Sequence, residues 1–141
     1  MPNQVVVLMP EWKKFEETAR KALEVELDCE FATNPKDKKI NINGKEKSFD
    51  LVNKDKKIVG DIKFYSMPKH GHNPSAKFST LNEYAWLMQK LKSWRKIFVI
   101  GVDENLIEKY IKRFDKWLDD IEIYHCSIDG KLTRKRPTIS G

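Results

Sequence analysis

Cysteine is scarce in this sequence: its 141 residues include two, Cys29 and Cys126, which lie far apart and outside any Cys-x-x-Cys motif. A disulfide framework or a zinc site is therefore not expected, and a reducing location inside the cell, in the cytoplasm or nucleoid, is favoured. The sequence also lacks any apolar run near the ~20 residues of a membrane helix, so no membrane partner is expected. The N-terminal segment has neither a basic region nor a small-residue cleavage site and does not resemble a signal peptide.

Internal repeats and low-complexity segments are absent as well, and 141 residues is an ordinary size for one domain. The sequence therefore predicts a single domain over residues 1–141 that ends in a flexible basic tail at 129–141. Hydrophobic residues make up 40% of the chain and charged residues 34%, which is enough for one core and too apolar for a disordered chain. The 27 Lys and Arg residues exceed the 21 Asp and Glu residues, and the resulting net charge of +6 is compatible with a nucleic-acid partner.

The apolar pattern predicts a mixed α/β domain. Apolar residues recur at helical spacing in three segments, which predict helices at about 10–25, 79–94 and 104–118. Alternating or short apolar runs predict strands at 28–32, 39–42, 45–47, 48–53, 58–65, 96–102 and 121–126. An Asn-Gly pair predicts a hairpin turn, and Ser79 or Thr80 with Glu83 resembles a capping box. This order predicts a mixed sheet flanked by helices, arranged αβββαβ and followed by an extra αβ unit.

Two aspartates and a lysine are predicted to share one face of this sheet. Period-two alternation puts Asp61 and Lys63 on the same face of their strand. If the residues between Asn53 and Ile58 form a turn, these two residues pair, and the same register places Asp50 opposite Asp61. Two carboxylates in that position repel each other unless a proton or a cation lies between them.

A third acid, Glu16, falls inside the apolar stripe of the first predicted helix. At ~100° per residue it lies between Trp12 and Leu23, whereas Glu17 points well away from the stripe. An unpaired buried charge is costly, so an acid at this position needs a partner or a function. If the helix packs on the face that carries Asp61, Glu16 points at the same spot.

Each of these residues alone also has a simpler interpretation. An Asp-x-Lys on a strand is commonly a solvated face, Asp50 could flank a turn, and Glu16 could pair with a surface lysine. Their joint placement favours a catalytic role. The strand register and the helical periodicity fix the positions of these residues independently of any functional hypothesis. Three acids and a lysine around one point suit a hard divalent cation such as Mg²⁺, which binds oxygen ligands and keeps waters for a phosphate substrate.

Short motifs at these positions resemble the PD-(D/E)XK nuclease superfamily, the restriction-endonuclease-like fold shared with Holliday-junction resolvases and Mrr-type enzymes. The motifs are Phe15-Glu16 on a first helix, Phe49-Asp50, and Gly60-Asp61-Ile62-Lys63. The predicted order of elements is similar to the core of that family, and the resemblance covers about residues 10–102. The chain departs from the family in having Phe49 where the name expects Pro. It also lacks a clean Q-x-x-x-Y motif of the RecB-like branch at Tyr84, Gln89 and Lys92.

The resemblance implies a Mg²⁺-dependent endonuclease that hydrolyses phosphodiester bonds, with Mn²⁺ as a substitute and DNA favoured over RNA. It implies that Asp50 and Asp61 are metal ligands, with Glu16 as a further ligand directly or through water. The backbone carbonyl of Ile62 would also bind the metal, and Lys63 would position the attacking water. The alternative is a non-catalytic nucleic-acid-binding or scaffold protein on the same fold.

Other basic residues are expected to contact nucleic acid. Lys69, His70 and Lys77 follow the Asp61–Lys63 strand and are predicted to border the substrate, and Arg134 and Arg136 could hold phosphates. His70-Gly71-His72 is disfavoured as a metal site, because the spacing suggests no third ligand.

The tryptophans are expected to serve core and helix packing rather than base stacking; they are Trp12, Trp86, Trp94 and Trp117. A lone domain of this size would recognise shape or ends, read a site as a homodimer, or depend on a targeting partner protein.

Overall fold

The computed structural model of the protein describes residues 11–65 and 74–137. In these ranges the helices are α1 (Glu11–Leu27), α2 (Ser75–Gln89) and α3 (Glu104–Phe114), with short 3₁₀ turns at Pro35–Lys38 and Asp115–Trp117. The strands are β1 (Lys39–Ile42), β2 (Lys45–Ser48), β3 (Leu51–Asn53), β4 (Ile58–Tyr65), β5 (Arg95–Val102), β6 (Glu122–Cys126) and β7 (Leu132–Arg136). Among these described helices, none has the length and apolar character needed to cross a membrane.

The main sheet has five strands in the order β3-β4-β5-β6-β7. Its outer pairs, β3–β4 and β6–β7, are antiparallel, whereas β4, β5 and β6 run parallel. Strands β1 and β2 form a separate hairpin around Asn43 and Gly44, which have φ angles of 53° and 89°. Both values are positive, as the predicted Asn-Gly turn requires. The prediction of an α/β domain with a mixed sheet flanked by helices is confirmed at this level.

The helices divide between the two faces of the sheet. The crossovers β4–α2–β5 and β5–α3–β6 step along the sheet in the same direction, so connections of one hand place both helices on one face. They pack there over Phe98 and Ile100 of β5. Helix α1 packs on the opposite face, where Phe15 is buried with Ile62 of β4.

The predicted strand at 28–32 is wrong, because this segment makes too few ladder bonds. One backbone bond joins the Ala32 N–H to the Val52 carbonyl of β3 at 2.9 Å. Pro35 then opens a 3₁₀ turn whose first residues are capped by the Asn34 side chain.

The predicted strand at 48–53 is split by a bend. Strand β2 ends at Ser48 and β3 begins at Leu51. The bend between them buries the ring of Phe49, whose centroid lies 6.0 Å from that of Tyr84 on α2. Burial of this ring against α2 accounts for the break, and it leaves Asp50 outside regular pairing.

Helix α2 lies about one turn earlier than predicted at each end. Pro74 occupies its N-cap, where the missing N–H is tolerated. Thr80 lies inside the helix and its Oγ1 donates to the Ala76 carbonyl at 3.2 Å. The predicted capping box of Ser79 or Thr80 with Glu83 is therefore wrong.

The predicted flexible tail is wrong over residues 132–136, which form edge strand β7. Arg136 fixes this strand to the end of α3: its Nε donates to Asp115 Oδ1 at 2.8 Å and its Nη2 donates to the Asp115 carbonyl at 3.0 Å. The strand was missed because its sequence is polar and because its pairing partner, β6, is supplied by the rest of the fold.

The prediction that the tryptophans serve core and helix packing is wrong as to the core for most of them, although the ring of Trp117 lies 6.2 Å from that of Phe114 on α3. Trp12, Trp86 and Trp117 are 57%, 59% and 70% exposed, and only Trp94 packs against the core. Apolar periodicity alone did not separate them from the buried residues of the same helices.

Candidate active site

Asp50 and Asp61 lie side by side where β3 leaves β4. The predicted register is confirmed: Asn53 pairs with Ile58, and the ladder ends at Leu51 and Gly60. Beyond its end, the Asp50 N–H donates to Asp61 Oδ1 at 3.1 Å. In return, the Ile62 N–H donates to Asp50 Oδ2 at 3.0 Å. Each carboxylate thus takes the place of a backbone partner at the point where the strands separate.

Asp61 is 2% exposed, which makes it a rare buried acid of this chain. Its Oδ2 lies 2.8 Å from Lys63 Nζ, although the approach is poorly directed and gives an ion pair rather than a full hydrogen bond. Burial, followed by the charge of Asp50, raises the pKa of Asp61 to about 8. A carboxylate with this pKa is stabilised by any additional positive charge placed beside it.

Lys63 provides one such charge. Burial lowers the pKa of its ammonium group, but the neighbouring Asp61 carboxylate outweighs that effect and leaves the pKa raised. Lys63 therefore remains a cation and can orient a water or stabilise negative charge, whereas it is poorly suited to accept a proton. Its Nζ also lies 4.5 Å from the ring centroid of Tyr84, which fixes the ammonium group between an acid and an aromatic face.

Tyr84 is a site residue that the sequence did not reveal. Its position on α2 indicates only that it packs against the sheet, and the packing of α2 over the Asp61 face brings it here. Burial raises the pKa of its hydroxyl, with further contributions from the charges of Asp61 and Asp50. Lys47 of β2 contacts the same ring, with its Nζ 4.9 Å from the centroid.

Glu16 approaches the pair from a direction that differs from the expected one. Helix α1 packs on the face of Ile62, so the condition that it covers the Asp61 face is not met. Glu16 is nevertheless half-buried, and its pKa is raised by desolvation and then by the charge of Asp50. The acid therefore lies within electrostatic range of Asp50, around the edge of the sheet where β3 ends.

Basic side chains surround this group of acids. Lys38, Lys63 and Lys13 each lower the pKa of Glu16 and so lie near enough to neutralise part of its charge. Within residues 11–65 and 74–137, no three His, Cys, Asp or Glu side chains are gathered closely enough to enclose a metal ion. The ready-made ligands are therefore the two aspartates and the backbone beside them.

The Ile62 carbonyl faces the side of β4 on which Asp50 lies. The N–H and C=O of a strand residue point to the same neighbouring strand, and the Ile62 N–H points to Asp50. Since β3 begins only at Leu51, which pairs with Gly60, this carbonyl lies beyond the antiparallel ladder. Two carboxylates and a carbonyl are all oxygen donors, which is the chemistry that a hard divalent cation prefers.

The other predicted substrate contacts are not gathered around this point. Lys69 and His70 lie outside the described residues. Lys77 is on α2, with its Nζ 5.4 Å from the ring of Tyr65 at the end of β4. Arg134 and Arg136 lie on β7, three strands from β4, and Arg136 is engaged in binding Asp115.

Comparison with protein-family models, curated proteins and solved structures finds no match to this chain. The geometry and chemistry of the Asp50–Asp61–Lys63 group are therefore the basis for assigning a function.

Proposed function

We propose that this protein is a divalent-metal-dependent nuclease with a restriction-endonuclease-like core, and that DNA is its substrate. One observation carries the proposal: the buried Asp61 carboxylate accepts from the Asp50 N–H, and the Asp50 carboxylate accepts from the Ile62 N–H. The Lys63 Nζ lies 2.8 Å from Asp61 Oδ2. Burying two adjacent acids is costly unless a cation compensates them. Capping these two backbone N–H groups requires side-chain oxygen acceptors but does not require two adjacent charges.

The residues at this point fit a Mg²⁺ ion. Asp50, Asp61 and the Ile62 carbonyl would hold it, with Glu16 acting through water, because its carboxylate is in electrostatic but not ligating range. A bound Mg²⁺ would lower the pKa of a water ligand and neutralise charge on the scissile phosphate. Mn²⁺, with similar ligand preferences, would substitute for it.

The remaining steps belong to side chains of this chain. Lys63 would orient the attacking water and stabilise the negative charge that builds on the phosphate, since its ammonium group stays protonated. Tyr84 would hold that ammonium group in place through its ring face. Lys13 and Lys38, on the Glu16 side, would attract the phosphate backbone of the substrate.

The proposal also covers the location of the protein in the cell and how it recognises its substrate. Cys29 and Cys126 are free thiols, which supports an intracellular, reducing location. Because the residues around the acids contact phosphate rather than bases in this scheme, recognition would depend on DNA shape or ends, on a homodimer, or on a targeting partner protein.

A cleavage assay tests the proposal. The parent, Asp61→Asn and Lys63→Ala proteins would be incubated with duplex, single-stranded and branched DNA and with RNA, in Mg²⁺, Mn²⁺ or EDTA. We expect metal-dependent cleavage of DNA that falls by at least about 100-fold in both variants. The control is Asp55→Asn, at an exposed turn position, which should cleave like the parent.

Equal cleavage by Asp61→Asn and the parent, or cleavage that persists in EDTA, would contradict the proposal. Tight binding without any cleavage would favour the non-catalytic alternative.

A further inference from the structure

A groove of about 360 Å³ runs between the β1–β2 hairpin and helix α2. This volume is within the range of small-ligand sites, so the groove can accept a group the size of a nucleotide. The hairpin contributes Lys45 and Lys47 to its wall, α2 contributes Trp86, and Lys90 follows at the C-cap of α2.

Trp86 is the main aromatic surface of this groove. The residue is 59% exposed and does not join either core of the protein. The Lys90 Nζ lies over the ring, 4.2 Å from its centroid, which places a cation against one face of the indole. A second hollow shares Trp86 and Lys90 and extends the surface to Lys92. An exposed tryptophan between lysines is the combination by which proteins stack unpaired bases next to their phosphates.

The charges of the groove favour an anionic occupant. Within the part of the chain that the structure describes, Lys45, Lys47, Lys90 and Lys92 have no carboxylate at ion-pair distance, in contrast to Lys63. The acids that line the two hollows are Glu46, Glu83 and Asp119. None of these acids neutralises a lysine directly, so the ammonium groups remain available to phosphates.

The groove and the candidate active site meet at the ring of Tyr84. Lys47 lies in the groove wall, and its Nζ is 4.9 Å from the ring centroid of Tyr84. The Lys63 Nζ is 4.5 Å from the same centroid. Tyr84 therefore contacts both a lysine of the groove wall and the lysine that is paired with Asp61, which places the groove beside the site.

We propose that this groove binds an unpaired segment of the DNA substrate, with one base stacked on Trp86 and the flanking phosphates against Lys45, Lys47 and Lys90. The inference rests on the proposed nuclease function and specifies its substrate as DNA with a single-stranded part. An unpaired segment is required because the bases of a duplex are covered by their neighbours and cannot stack on a side chain.

The test is fluorescence anisotropy with a labelled oligo(dT) of about 12 nucleotides in EDTA, which separates binding from cleavage. We expect Trp86→Ala to weaken binding about tenfold or more, and Trp86→Phe to restore most of the loss. Trp117→Ala is the matched control, since Trp117 is 70% exposed but does not line the groove, and it should bind like the parent. The paired variant Lys45→Ala/Lys47→Ala should reduce the salt dependence of binding.

Unchanged affinity in Trp86→Ala would overturn the proposal, as would tighter binding of a matched duplex. Tighter binding of the matched RNA, oligo(U), would overturn the assignment to DNA. The nuclease proposal is tested separately by cleavage in Mg²⁺. If Trp86→Ala weakens binding while the parent cleaves no substrate, the nuclease function fails and the groove stands as a single-strand-binding site.

Discussion

At the scale of single residues, the notable feature is the Asp61 carboxylate, which is buried away from water. Asp61 is buried, its neighbour Asp50 is also an acid, and Lys63 provides a single ion pair. Replacing this group with apolar residues would be expected to stabilise the fold, because buried ion pairs repay their desolvation poorly. The arrangement is easier to understand if the site is completed by a bound cation.

This reasoning predicts a pH dependence in the metal-free protein. Because burial and Asp50 raise the pKa of Asp61 from 3.8 to about 8 in the folded state, the folded protein binds a proton that the unfolded chain releases. The contribution of this group to stability is complete below the unfolded pKa and is lost as the pH rises through the folded pKa. In EDTA, the free energy of unfolding should therefore fall between pH 4 and pH 8.

Urea denaturation of the parent and Asp61→Asn across this range measures the effect. The difference between the two proteins should change with pH, because Asn does not titrate. A difference that stays constant would show that Asp61 is already ionised in the folded protein.

Glu16 and Glu17 form a matched pair on one helix. Glu16→Gln should lower the cleavage rate by about 100-fold with little loss of folding, because it removes a charge beside Asp50. Glu17→Gln should be nearly silent, as most substitutions away from a site are. Equal effects of the two variants on the cleavage rate would mean that α1 contributes no acid to the site.

Tyr84 is expected to act as a positioning residue for Lys63. Tyr84→Leu removes the ring face that holds the ammonium group and should lower kcat by about two- to thirty-fold, the range of a cation–π contact. Tyr84→Phe keeps the ring and should restore kcat. If Phe is as slow as Leu, the hydroxyl rather than the ring is the important group.

At the scale of elements, the sequence pattern predicted the features that are set by residues close together in the chain, such as the β3–β4 pairing. The four-residue turn between Asn53 and Ile58, with strict alternation along β4, was enough to place Asp50 next to Asp61. The face on which α1 packs was not predictable in this way, since a helical stripe indicates which side is buried but not against which surface. Strand β7 was missed for a related reason, because its order depends on pairing with β6.

The packing of α1 depends on a glycine of β5. A Cβ added at Gly101 would lie 2.2 Å from Phe15 Cζ, so the aromatic ring of α1 occupies the space of the missing side chain. Gly101→Ala should destabilise the protein by about 1–3 kcal/mol through overpacking. Thermal or urea unfolding would measure this.

The double variant Gly101→Ala/Phe15→Leu identifies the cause. A smaller side chain at position 15 leaves room for the added methyl group, so the double variant should lose less stability than the sum of the single changes. Strictly additive losses would place the clash elsewhere, for example at the Cys126 carbonyl, which lies 2.8 Å from the same added Cβ.

At the scale of the whole molecule, the basic residues fall into two groups, those that are ion-paired and those that are not. On the β7 edge, Arg136 binds Asp115 and Lys135 binds Glu104, so these cations hold the fold together. Along the hairpin groove, and at Lys13 and Lys38 near Glu16, the lysines have no ion-pair partner among the described residues and are left available for phosphates. Nucleic acid is therefore expected on the hairpin and α2 side of the protein rather than along β7.

The thermal unfolding of the whole chain in Mn²⁺ tests the central claim most directly. If Asp50 and Asp61 hold a divalent ion, Mn²⁺ at about 100 times its Kd should raise the Tm of the parent by roughly 5–10 °C relative to EDTA. The control Asp55→Asn should keep this shift, and Asp61→Asn should lose it. A Mn²⁺-induced shift in Asp61→Asn equal to that of the parent would contradict the account, because the ion would then bind elsewhere.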